Sequence, residues 1–191
     1  MYEVKEIFDI GTEEQFRRCA LELFRFQAER CQPYRKYIEL LGINPNSITT
    51  IEEIPFLPIE LFKNSDVYCG EGKPEVIFTS SNTGSTLPSR HMMASLDTYR
   101  KSFTRAFEDF YGKVEDWSIY GLLPNYLERE GSSLVYMVDT LIKRCGSGGF
   151  YLNNYEQLIN DIEHDPKPKI LLGVSYALWD VAEQYAPKLR D

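Results

Sequence analysis

From Val67 onward the chain alternates short apolar runs with helical patterns, and this alternation restricts the fold more than any other feature of the sequence. Glu75 to Ser80 and Arg90 to Met93 read as strands on either side of a polar loop. Leu96, Tyr99, Phe103, Ala106, Phe107 and Phe110 recur at helical spacing and predict an amphipathic helix with a core-facing aromatic stripe. Trp117 to Leu123 reads as an apolar strand stopped by Pro124. Leu134, Met137, Val138, Leu141 and Ile142 mark the next helix, with Ser132 or Ser133 as its cap. A flexible turn is expected at Gly146-Ser-Gly-Gly149. A short strand, a helix through Leu158 and Ile162, a strand at Ile170 to Val174 and a helix from about Tyr176 follow it. Strands separated by helices imply an α/β fold with a mostly parallel, helix-covered sheet.

The N-terminal part reads differently. Thr12-Glu-Glu-Gln15 is a capping box, behind which Phe16, Cys19, Ala20, Leu23 and Phe24 keep helical spacing. A second helix, about Pro33 to Leu41, ends at Gly42, and the prolines of Ile54-Pro-Phe-Leu-Pro58 favour an extended segment. The expected division is an N-terminal helical segment, 1–53, followed by an α/β region, 54–191. The alternation is still running at Asp191. A doubly wound sheet usually has a second half, with its site where the halves meet, so the chain is expected to be the N-terminal portion of something longer.

Of 191 residues, 43% are hydrophobic and 14% aromatic, enough for a packed core and too many for a disordered tail. Against 21 basic residues stand 29 acidic ones, a formal charge of −8, which argues against non-specific binding of nucleic acid or an anionic membrane. The longest apolar run, Ile170 to Trp179, is far short of the roughly 20 residues that span a bilayer. Cys19, Cys31, Cys69 and Cys145 form no Cys-x-x-Cys pair, and no secretory leader is visible; a cytoplasmic protein is expected. Two histidines, His91 and His164, are too few for most zinc sites.

The most unusual stretch is Phe78-Thr-Ser-Ser-Asn-Thr-Gly84-Ser-Thr-Leu-Pro-Ser-Arg90-His91, which crowds hydroxyls, an amide and a glycine behind a strand. Such groups can surround phosphate oxygens, Gly84 lets the backbone approach closely, and Arg90 adds a planar bidentate donor. Each charge-assisted bond to phosphate is worth about 1.5–3 kcal/mol, so four or five would hold a polyphosphate. The same composition also fits a solvated loop joining two strands. A Walker loop fits poorly, because Gly-Lys-Ser/Thr is missing and the loop leads into a strand. Gly146-Ser-Gly-Gly149 fails as a dinucleotide fingerprint because it opens no helix.

Other residues keep two readings. His91 is a general base, a pocket wall or a structural hydrogen-bonder. Tyr126 lines a pocket or is half-buried core. Glu128 and Arg129 are catalytic or a surface ion pair. Cys69 and Cys145 are acyl acceptors or structural thiols, with Lys143 and Arg144 beside Cys145. The runs Glu13-Glu14 and Glu52-Glu53 read as solvated faces.

Phe78-Thr-Ser-Ser-Asn-Thr-Gly84 resembles the Tyr-Thr-Ser-Gly-Thr-Thr-Gly phosphate loop of adenylate-forming enzymes, the acyl-CoA synthetase and luciferase superfamily. Three stretches narrow the resemblance: Pro88-Ser-Arg-His91; Ile54-Pro-Phe-Leu-Pro-Ile-Glu-Leu-Phe-Lys63; and Leu123-Pro-Asn-Tyr-Leu-Glu-Arg129 with Ser132 and Ser133. Together they look like the acyl-protein synthetases of bacterial luminescence fatty-acid reductase systems, relatives of phenylacetate-CoA ligase, from about Pro33 to the chain end. That resemblance implies attack of a carboxylate, such as a fatty acid, on ATP. Acyl-adenylate and pyrophosphate result, and the acyl group then passes to a thiol of a protein or coenzyme A.

By matching positions, Thr79, Ser80, Ser81, Asn82, Thr83, Gly84 and Arg90 would bind the ATP phosphates. His91, Pro124, Asn125 and Tyr126 would border the acyl or adenylate pocket. Ser81 stands where the superfamily has glycine and Asn82 where it has threonine. No acidic magnesium ligand, ribose-binding aspartate or late lysine follows Val174. The Mg2+ ligand is therefore expected outside this chain, the isolated chain is expected to be inactive, and 54–191 would be a partial adenylation-type domain. The rival expectation is a non-catalytic module that binds a nucleotide, an acyl group or a partner. A missing half would leave apolar surface and favour self-association.

Overall fold

The computed structural model describes residues 4–80, 88–123 and 131–185, and it has an α/β fold. The residues fall into two compact units, Met1–Thr98 and Tyr99–Asp191.

The first unit opens with α1 (Glu13–Arg30) and α2 (Gln32–Leu40). The Thr12 hydroxyl accepts from the Gln15 amide at 3.2 Å, and Gln15 Oε1 accepts from the Thr12 amide at 3.1 Å, so the capping box forms. Phe24, Ala28, Cys31, Tyr34, Ile38 and Ile48 make the core of this unit. Phe16 stands half exposed despite its helical spacing, because the inward stripe runs through Cys19, Phe24 and Ala28. The extended segment before Pro58 docks on the helix pair: Ile54 and Leu57 pack on the cluster, and the Tyr34 hydroxyl donates to Pro55 O at 2.7 Å. Glu53 is not simply a solvated acid. Its carboxylate accepts from the Thr49 and Thr50 amides at 3.0 and 3.1 Å, which holds it below the usual carboxylate range.

Behind Pro58 comes α3 (Ile59–Asn64), a helix that the two prolines concealed in the sequence. Then β1 (Val76–Thr79) and β2 (Arg90–Met93) pair antiparallel, with Phe78 opposite His91 and Thr79 opposite Arg90. Glu75 accepts from the Leu96 amide at 2.8 Å and so fixes the start of α4 (Leu96–Tyr111).

The second unit is built on a three-stranded parallel sheet in the order β4-β3-β5, with β3 (Ser118–Leu122), β4 (Gly148–Tyr151) and β5 (Lys169–Gly173). Central β3 is buried along its whole length, which is why it reads as a largely apolar run even with Ser118 at its start. Its side chains alternate. Ile119 joins a core with Phe103 and Phe107 of α4 and Val138 and Leu141 of α5 (Ser133–Cys145). Tyr120 and Leu122 join another, with Leu158 and Ile162 of α6 (Tyr155–His164) and Ala177 and Val181 of α7 (Ser175–Tyr185). On α4 the inward stripe is narrower than its spacing suggested: Ala106 is exposed and Phe110 is 83% exposed.

Gly146 closes α5 with φ +66, as the turn required, but Gly148 and Gly149 are part of β4. Gly148 has φ +92 and lies against the Ile119 carbonyl, so this glycine run is a cap followed by a close strand crossing.

Candidate functional site

The hydroxyl-rich stretch begins at the end of β1. Thr79 is the last residue of that strand and is exposed. Ser80 and Ser89 clasp the base of the loop: the Ser80 amide donates to Ser89 O at 3.1 Å, and the Ser89 amide donates to Ser80 Oγ at 3.0 Å. The Ser80 main-chain donor is thereby occupied, while its hydroxyl hydrogen can still be given to a ligand. Ser81, Asn82, Thr83 and Gly84 lie outside the described residues.

Arg90 opens β2, and its Nη1 donates to Asp66 Oδ1 at 2.9 Å. The pair is exposed on both sides (48% and 67%), so it is a weak tether that a polyanion can compete with. His91 is also exposed. Its ring meets Phe62 of α3 edge-on, with centroids 5.9 Å apart. Neither Asp66 nor Phe62 carried a sequence signal for this role, since each meets its partner only through the fold.

In the second unit the topology itself marks a position. β3 leads through α5 to β4 on one side of it, and β4 leads through α6 across to β5 on the other. Adjacent β3 and β5 therefore leave the sheet toward α5 and α7, which pack against opposite faces. The crevice outside such diverging carboxyl ends is where open α/β sheets bind ligands. Leu123 and Val174 follow these two strand ends and pack in the core, the Val174 amide donating to the Leu122 carbonyl at 3.2 Å. Pro124, Asn125 and Tyr126 come next in the chain but lie outside the described residues, as do Glu128 and Arg129.

The candidate thiol acceptors differ. Cys145 is buried, its thiol facing the Ile142 and Ser147 carbonyls at 3.3 and 3.0 Å. The cations beside it in sequence serve carboxylates: Lys143 meets Asp139 at 2.6 Å, and Arg144 meets Glu108 and Glu115 at 2.6 and 2.7 Å. Cys69 is half-buried against the α1–α2 core. Among the described residues no group of three or more His, Cys, Asp or Glu side chains could hold a metal ion, and no helix is long and apolar enough to cross a membrane.

Fold and topology together define an α/β protein whose parallel sheet has a strand-order switch at its centre. No family model matches the chain. Over 68 residues it is 35% identical to the long-chain-fatty-acid–luciferin-component ligase of Photorhabdus luminescens, a stretch covering 35% of this chain and 58% of that protein. The chain thus spans less than two thirds of the relative that it resembles.

Proposed function

We propose that this chain is part of an ATP-dependent acyl-activating ligase that converts a fatty acid to its acyl-adenylate and passes the acyl group to a thiol. The observation that carries this reading is the 35% identity over 68 residues with the luciferin-component ligase. The order of strands supports it, because open α/β sheets bind ligands where the strand order reverses. In this reading 54–191 is the partial adenylation-type domain.

Thr79, Ser80 and Arg90 sit at the base of the β1–β2 loop and would meet the triphosphate with the loop residues 81–84 between them. Arg90 would leave Asp66 and stabilise charge that builds on departing pyrophosphate. Bound Mg2+ would supply further charge neutralisation on the phosphates. His91 would border the acyl group.

ATP–pyrophosphate exchange measured on the full-length protein with a panel of carboxylic acids tests this. Exchange that depends on a long-chain fatty acid is expected. Absence of exchange with every acid, in a folded protein, would overturn the ligase reading. ATP binding without exchange would instead fit a nucleotide-recognising module.

A further inference from the structure

Cys31 and Cys69 are far apart in the sequence, yet they share one core, Cys69 packing against the cluster that contains Cys31. Both are free thiols. Cys31 occupies the N-cap position of nine-residue α2, directly after α1, and is 1% exposed. Cys69 is half-buried and gives the pair its access to solvent. The stretches on either side run near each other, Arg30, preceding Cys31, lying 2.8 Å from Glu71 just beyond Cys69.

We propose that Cys31 and Cys69 form a reactive dithiol that a small peroxide converts to a disulfide. The environment separates the roles of the two sulfurs. The S–H of Cys69 is the main influence on Cys31. Burial opposes it, the Tyr34 and Tyr68 amides reinforce it, and the Cys31 thiol falls to about 6. Cys69 moves the other way, because the Cys31 sulfur retains its proton and burial adds to the effect. Cys31 is thus the sulfur of the pair whose thiolate is favoured.

The chemistry balances with hydrogen peroxide as oxidant. Peroxide enters past the more accessible Cys69, and the Cys31 thiolate attacks one of its oxygens. The O–O bond breaks, leaving a Cys31 sulfenic acid and hydroxide. Hydroxide takes the Cys69 proton to become water. The Cys69 thiolate then attacks the Cys31 sulfur, forming the S–S bond and expelling hydroxide. Two electrons pass from the two sulfurs to the two oxygens. The product would tie the α1–α2 junction to the segment leading into β1, closing a long loop in the unfolded chain.

The test is peroxide treatment of the reduced full chain, then alkylation, digestion and mass mapping, with circular dichroism as a fold control. A single bridged peptide pair joining Cys31 to Cys69 is expected. Alkylatable thiols under denaturing conditions should fall from four to two, with a melting temperature higher by about 5 °C or more. The C19S/C145S double variant should lose its two remaining thiols on the same time course, and Cys69→Ser should form no intramolecular bridge. Should Cys69→Ser fail to fold, the wild-type map decides alone. Four alkylatable thiols after treatment, or a bridge between any other pair, would overturn the proposal.

Discussion

Arg90 Nη1 lies 2.9 Å from Asp66 Oδ1, a bond that reaches back 24 residues and holds the first residue of β2 against the segment after α3. The guanidinium that the sequence offers to phosphate is therefore engaged by a carboxylate. If the ligase reading holds, Asp66 competes with the nucleotide. Removing an exposed pair of this kind changes the balance by no more than about 1 kcal/mol. Asp66→Asn should tighten ATP binding up to about five-fold by titration calorimetry. Arg90→Ala should weaken it at least about ten-fold, the worth of a charge-assisted phosphate bond. Equal affinity in wild type and Arg90→Ala would remove Arg90 from the phosphate site.

Gly148 combines φ +92 with a backbone so close to Ile119 that a Cβ would overlap its carbonyl. Gly148→Ala should lower the unfolding free energy by about 2 kcal/mol or more, since strain and a clash with rigid backbone act together. Gly146→Ala has the strain without the clash, with φ +66 and open space around the added carbon, and should cost about 1 kcal/mol. Urea midpoints showing the reverse order would contradict this account of the glycine run.

Tyr34 is held by burial, with its hydroxyl on Pro55 O, and its phenol is pushed up to about 12. The neutral form is favoured in the folded state, so its contribution is complete below the unfolded value near 10 and is lost as pH rises from there toward 12. Tyr34→Phe should cost about 1 kcal/mol at neutral pH by leaving the Pro55 carbonyl without its donor. The variant should also lose part of the alkaline fall in stability; an unchanged denaturation profile between pH 9 and 12 would count against it.

Asp165 behaves oppositely. Burial pushes its carboxyl up, but the Ser118 and Tyr120 hydroxyls and the Lys167 amide outweigh that and leave it lowered, with Tyr120 donating at 2.6 Å. Its stabilisation is therefore present above the unfolded value, about 4, and disappears as pH falls below it. Asp165→Asn should flatten the acid limb of a stability–pH curve and, because Asp165 also helps burial to raise the Tyr120 phenol, soften its alkaline limb. Equal acid slopes in variant and wild type would show that Asp165 does not contribute there.

Local chemistry was legible wherever neighbouring residues settle it. Thr12 and Gln15 close their box within one turn, Ser132 caps α5 through the Val135 amide, and Gly42 takes φ +69 after α2. Burial of β3 on both faces showed in its largely apolar run. Glu53 was missed because acids in a surface turn look solvated until the Thr49 and Thr50 amides are placed. Phe110 was misjudged because periodicity gives the direction of a stripe but not its width.

By itself the sequence determined the kinds of element, their order and most of their ends, since propensity, capping and period act over a few residues. Only the tertiary structure decided that β5 lies beside β3 on the side opposite β4, that Asp66 meets Arg90, and that Cys69 packs on the core that holds Cys31. Those pairings join residues distant along the chain, and they are selected by how faces pack and crossovers turn rather than by any local pattern.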